Sequence, residues 1–178
     1  MRKIVAGLFV SLDGVVEAPD QWHFPYVNDE MTGAVMAQQE GSDTLLLGRV
    51  TYEVFASSWP HRSDPMADHL NNVRKLVVST TLAGADWNNS TLISGDAVEE
   101  LRRIKEGPGG NIGMTGSVTL TRALLGAGLV DDLHLYVHPI VLGSGTRLFD
   151  ESAERLPLRL AGSATFATGV VHLHYRPA

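Results

Sequence analysis

Twice in this chain an apolar run stops at a glycine turn and passes directly into the start of a helix. The first case is Leu45-Leu46-Leu47-Gly48-Arg49-Val50-Thr51-Tyr52, and the second is Ile112-Gly113-Met114-Thr115-Gly116-Ser117-Val118-Thr119-Leu120. A buried strand feeding a helix is the repeating unit of a parallel sheet, so this pattern narrows the fold before composition is considered. Glycine also lets the backbone come close to a ligand, and a helix N-terminus offers unpaired N–H groups carrying partial positive charge. One such turn suits one phosphate group, and two suit the two ends of a dinucleotide. Taken singly, each is also what an ordinary strand-to-helix turn looks like.

The rest of the chain continues the alternation. Lys3–Val10 reads as a buried strand, followed by a Gly/Pro-bearing loop through Pro25. Asn28 caps a helix with Met31 and Val35 on one face. Thr44–Leu47 is a strand and Arg49–Phe55 a short helix, with Tyr52, Phe55 and Trp59 at helical spacing. Lys75–Ser79 and Thr91–Ile93 are strands, and Asp96-Ala97-Val98-Glu99 opens a helix that Gly107 stops. Asn111–Thr115 is a strand and Ser117–Leu125 a helix. Asp132–Leu142 is long and alternating, and Leu158–Phe166 with Val170–Arg176 forms a hairpin around Ala167-Thr168-Gly169. The expectation is one α/β domain over 1–178: about eight strands in a mostly parallel sheet with an antiparallel C-terminal hairpin, and about four helices.

Composition removes several function classes. The 178 residues suffice to bury about 70% of the unfolded chain's surface. A net charge of -6 argues against a nucleic-acid partner, which meets a clustered basic face. With no cysteine there are no disulfides, no thiolate catalysis and no cysteine-bearing zinc site. His134/His138 and His172/His174 alternate along strands; with no carboxylate on those faces, they read as solvent-side or interface residues and no metal is expected. No apolar run approaches the length of a membrane span, and the expected location is cytoplasmic. Gly-x-Ser-x-Gly, Walker-type and His-Glu-x-x-His motifs are missing.

Three strand ends carry matching chemistry. Gly48-Arg49-x-Thr51 puts a fixed cation and a hydroxyl on a first helical turn, where Arg49 can fork onto a phosphate. Thr115-Gly116-Ser117 sets two hydroxyls beside a glycine, although Ser117 also suits a plain N-cap. Ser79-Thr80-Thr81 ends a strand where a ribose or its phosphate can sit. At the end of the first strand, Asp13 is either a turn former or a substrate-binding carboxylate. Asp29 and Glu30 open the first helix, where the dipole favours acids in any case.

These residues in this order resemble a known superfamily. The set is Ser11-Leu12-Asp13-Gly14, Leu47-Gly48-Arg49-x-Thr51-Tyr52-Glu53, Val77-Val78-Ser79-x-Thr81-Leu82, Gly116-Ser117, and Pro139-x-x-Leu142-Gly143-x-Gly145-x-Arg147-Leu148-Phe149. It resembles the dihydrofolate reductase-like superfamily, and the last motif looks like its riboflavin-biosynthesis reductase branch, the C-terminal part of bifunctional deaminase-reductases. The resemblance implies a three-layer fold and an NADPH-dependent reductase of a small heterocycle, similar to 5-amino-6-(5-phosphoribosylamino)uracil reductase. By position, Gly48, Arg49 and Thr51 would hold adenosine-side phosphates, with Ser79 and Thr80 near the 2′-phosphate. Thr115, Gly116, Ser117 and Val118 would cradle the pyrophosphate. The backbone of Val10 and Ser11 would orient the nicotinamide.

Departures from the family bear on substrate. Relatives often carry a basic residue where this chain has Thr80. The pterin-binding carboxylate of dihydrofolate reductases falls near Thr32, with Asp29 and Glu30 almost a turn earlier, which argues against folate. For the proton, Asp13, Asp29 and Glu30 are the candidate catalytic acids. The expected assembly is a homodimer, because the alternating late strands offer apolar faces on both sides. The alternatives are a non-catalytic protein that binds NADP nucleotides and a dihydrofolate reductase.

Overall fold

The computed structural model describes residues 1–151 and 155–178. Eight strands form one sheet: β1 (Ile4–Ser11), β2 (Ser42–Gly48), β3 (Arg74–Val78), β4 (Ser90–Ile93), β5 (Asn111–Thr115), β6 (Asp132–His138), β7 (Leu158–Thr165) and β8 (Val171–Pro177). Their spatial order is β4-β3-β2-β5-β1-β6-β8-β7. Every pairing from β4 to β6 is parallel, and β8 lies antiparallel to both β6 and β7. Thus β8 alone runs against the rest. The C-terminal ends of β1, β2, β3 and β5 therefore open on one edge, where an α/β sheet binds ligands.

The helices are α1 (Asp29–Gln39), α2 (Arg49–Ser58), α3 (Pro65–Asn72), α4 (Ala97–Glu106) and α5 (Val118–Gly126). That is five α-helices among the described residues, where about four were expected. The addition is α3, whose eight residues begin at a proline that suits a first helical turn, with Asp64 accepting from the Ala67 amide at 2.9 Å. Alternation along each strand sorts the core into layers. Ile4, Ala6, Leu8, Leu46 and Leu76 face α4 and α5, whereas Leu45, Leu47 and Val77 face Tyr52 of α2 and Leu70 of α3. Each fully buried leucine contributes about 2 kcal/mol. A third cluster gathers Met31 of α1 with Tyr136, Phe166 and Val170.

The strand expected to run to Leu142 ends at His138, because Pro139 has no N–H to give the ladder. The hairpin turn at 166–170 is as expected: the Phe166 amide donates to the Val170 carbonyl, and Gly169 sits at φ 86°. Helix α1 lies close on the sheet. A Cβ at Gly7 would fall 2.2 Å from Gln38 Nε2, which fixes a side-chain-free residue in the middle of β1.

Candidate functional site

Three of the five helices are closed at the N-terminus by their own side chains. Asn28 accepts from Met31 N, Asp64 from Ala67 N and Asp96 from Glu99 N. The two that start at the glycine turns are not: neither Gly48 before α2 nor Ser117 before α5 gives a capping side-chain bond. Each helix leaves its first N–H groups without an intrahelical partner, so both open ends are electropositive and unsatisfied. They stand side by side because β2 and β5 are neighbours, with Leu46 opposite Met114.

A hydroxyl network locks the two turns together. The Gly48 amide donates to Ser117 Oγ at 2.7 Å. Ser117 Oγ donates to Thr51 Oγ1 at 3.1 Å, and the Ser117 amide donates to the same oxygen at 3.2 Å. Thr51 thus spends its acceptor capacity inside the network and keeps its own proton to donate outward. Ser117 is held at φ 60°, ψ 63°, an uncommon conformation for a residue with a side chain, and Gly116 before it has φ 63°. Ser117 does not cap its own helix; it is turned across to α2. Thr121 serves α5 from within, donating to the Gly116 and Ser117 carbonyls. A Cβ on Gly116 would lie 3.1 Å from Thr51 Oγ1. Gly48, Thr51, Gly116 and Ser117 therefore form one cradle. Val118 opens α5 next to it, and Thr115, opposite Gly7, ends the strand before it.

Arg49 projects from the same rim, about half exposed, with Nη1 2.9 Å from Glu53 Oε2. Gly48 pairs with Val78, so Ser79 and Thr80 leave β3 beside Arg49. Ser79 is buried, and its Oγ accepts from the Thr81 and Leu82 amides, which shapes the turn; Thr80 is exposed.

At the end of β1, Val10 packs in the core and offers only backbone, while the Ser11 hydroxyl accepts from Val15 N at 2.9 Å and donates to Asp13 at 2.6 Å. Asp13 also accepts from the Leu142 and Gly143 amides at 3.1 and 2.8 Å. The Ser11 hydroxyl, followed by these two amides, lowers its pKa to about 2. Asp13 is a fixed carboxylate that ties the 12–17 turn to the Gly143–Phe149 loop. Glu17 reinforces the tie by accepting from both the amide and the hydroxyl of Thr146. Glu30 accepts from the Ala167 amide at 2.8 Å, linking α1 to the hairpin. Asp29 is exposed at the start of α1.

The histidine expectations need correcting. His138 is fully buried, neither solvent-side nor at an interface. Its Nδ1 lies 2.7 Å from the Tyr136 carbonyl, which assigns the proton to that nitrogen, and Nε2 has no partner. Rings of Phe9, Trp22, His23 and Tyr26 surround it edge-on, and burial pushes its pKa down. The aromatic 22–26 segment, which follows β1 in the chain, lies over the end of β6 and covers it. His134, His172 and His174 share a half-exposed face with a carboxylate that the alternation should have revealed. Asp132 lies two residues before His134 and is 2.6 Å from His174 Nε2. Among the described residues no group of histidines and carboxylates has metal-binding geometry.

The sequence pattern of the RibD C-terminal domain family matches residues 2–172. The Bacillus subtilis (strain 168) protein YyaP, itself uncharacterised, is 30% identical over 186 residues, covering 98% of this chain and 94% of its own. A Shewanella sp. PV-4 structure linked to riboflavin biosynthesis superposes with TM-score 0.79 at 21% identity, covering 100% of this chain and 99% of the other. Dihydrofolate reductase from Enterococcus faecalis, complexed with NADP(H), superposes with TM-score 0.66 at 17% identity, covering 98% and 96%. These superpositions show a dihydrofolate reductase-like fold.

Proposed function

Because the chain belongs to the RibD C-terminal domain family, we propose that it is an NADPH-dependent reductase of a small heterocycle, similar to 5-amino-6-(5-phosphoribosylamino)uracil reductase. The observation that carries this reading is the pair of uncapped helix N-termini, α2 and α5, joined through Ser117 and Thr51. Two adjacent open N-termini fit two linked phosphates. In the proposed complex, the turn at Gly116 and Ser117 brings the pyrophosphate against the first N–H groups of α5, from Val118 onward, and Thr51 donates its hydroxyl proton. Arg49 leaves Glu53 to reach the adenosine-side phosphate, with Ser79 and Thr80 beside it and Thr115 closing the strand behind. The Val10 and Ser11 backbone aligns the nicotinamide.

Bound NADPH supplies the hydride. What this chain does is hold two flat rings in register and keep the 12–17 turn rigid through Asp13. Asp13 and Glu30 accept backbone amides and so act as positioning groups. Asp29, exposed, is the carboxylate able to pass a proton in from solvent. The homodimer is proposed on the outer sheet face, where Leu160 is 52% exposed beside half-buried Leu173 and Tyr175. Light scattering at tens of micromolar tests it, and a monomer refutes it. No described helix is long and apolar enough to cross a membrane.

A fluorescence titration tests the cofactor reading. NADPH should saturate the protein at micromolar concentration, about -8 kcal/mol. Silence at millimolar cofactor removes the reading. Saturation without consumption against a pteridine and pyrimidine panel leaves a nucleotide-binding protein without catalysis.

A further inference from the structure

The loops at the C-terminal edge of the sheet are nearly empty of cations. The connections leaving β1 (12–28), β3 (79–89) and β4 (94–96) contain no Lys or Arg. Between residues 12 and 30 stand five carboxylates instead: Asp13, Glu17, Asp20, Asp29 and Glu30. The described arginines near this edge are already engaged. Arg49 pairs with Glu53 and lies on the cradle side, and Arg62 sits over the Trp59 ring at 4.6 Å. Arg147 donates to the Asp13 carbonyl at 3.0 Å, with Nη2 3.9 Å from its carboxylate. Arg122 bonds the Leu148 and Arg147 carbonyls and pairs with Asp150.

The same rim is apolar. Leu12, Phe24 and Val50 are 66%, 63% and 63% exposed, and Phe9 stacks on His23 at 4.7 Å between ring centroids. Any ligand placed beyond the ends of β1 and β2 must meet the 12–28 segment and the first turns of α1 and α2, because these are the chains that leave those ends. Five carboxylates on this side, facing arginines that each already have a partner, raise the cost of bringing in a second phosphate. Arg49 is spent on the first ligand.

Taking the cofactor reading above as given, we infer that the compound reduced here is a neutral, unphosphorylated ring compound, so that the site departs from the phosphoribosyl substrate of the reductase it resembles. Specificity comes from this imbalance of charge: the cradle takes the dinucleotide's anions, and the 12–28 side accepts a flat uncharged ring against aromatic side chains.

Calorimetry on protein saturated with NADP+, which has no hydride to give, tests this with two probes that differ by one phosphate. They are 5-amino-6-ribosylaminouracil and its 5′-phosphate. The neutral compound is expected to bind at least tenfold tighter than the phosphate, and Phe24→Lys, which adds a cation to the rim, should shrink that ratio. Equal or tighter binding of the phosphate to the wild type overturns the inference. So does failure of both probes to bind while NADP+ itself binds. Failure of NADP+ to bind sinks the cofactor reading instead, and is seen before either probe is added.

Discussion

The Gly48 amide donates to Ser117 Oγ at 2.7 Å, bonding two helix-opening turns that are remote in sequence. A single hydroxyl thereby sets the spacing of two electropositive helix ends. Ser117→Ala removes the acceptor of Gly48 and the donor to Thr51 together. Losing these bonds should cost about 1–2 kcal/mol, or roughly 5- to 30-fold in NADPH affinity, with the fold intact. Nicotinamide fluorescence titration reads the first, and circular dichroism the second.

Arg49 gives a selective test. A charge-assisted hydrogen bond to phosphate contributes roughly 1.5–3 kcal/mol, so Arg49→Ala should weaken NADPH binding about 10- to 150-fold. With no basic residue at Thr80, the loss should fall on NADPH and spare NADH. Equal losses place Arg49 on the pyrophosphate. Glu53→Gln frees Arg49 from its i,i+4 partner and should leave NADPH affinity equal or tighter.

Asp13 predicts an acid limit. Its pKa, about 2 in the folded protein against an ordinary 3.8, is held down by the Ser11 hydroxyl and the Leu142 and Gly143 amides. A carboxylate depressed on folding stabilises above its unfolded pKa, and that contribution is lost as pH falls from about 4 through 2. Asp13→Asn should lower the melting temperature at pH 7. The gap from wild type should narrow below pH 4. A gap constant with pH would mean that the charge is irrelevant.

Lys75 predicts the opposite edge. It is fully buried, with Nζ donating to the carbonyls of Asn71, Val73 and Asn88 and lying 4.2 Å over the Trp87 ring. Burial lowers its pKa from 10.5 to about 8. The unfolded chain therefore holds the proton more tightly, and stability should rise as pH climbs from 8 towards 10.5. Lys75→Met should abolish that rise while destabilising by about 1–3 kcal/mol through the orphaned carbonyls. Urea midpoints across this range check both.

Strand positions were readable because burial on both faces forces unbroken apolar runs such as Leu45–Leu47, and caps such as Asn28 and Asp96 mark helix starts by local chemistry. Helix α3 escaped because Arg62-Ser63-Asp64-Pro65 reads as a loop, although Asp-Pro is also a cap followed by a first turn. The glycine turns were visible, but their contact was not. That Ser117 faces Thr51 depends on β2 lying beside β5, a long-range fact with no local trace. His138 was misread for a related reason. Alternation assigned its face correctly, and only the three-dimensional path of the 22–26 segment decides whether that face is wet.

The place of β1 between β5 and β6 has a consequence for biosynthesis. Strand β1 is synthesised well before the two strands that flank it in the finished sheet, its register with Ile112 and Asp132 waiting on more than a hundred further residues. Until then the segment Ile4–Val10, almost wholly buried once folded, has no partner for its backbone or its side chains. Such non-local pairing slows folding and leaves an apolar edge open to other nascent chains. Chains halted before β6 should therefore require a chaperone, whereas synthesis past β6 lets β1 enter the centre of the sheet in one concerted closure.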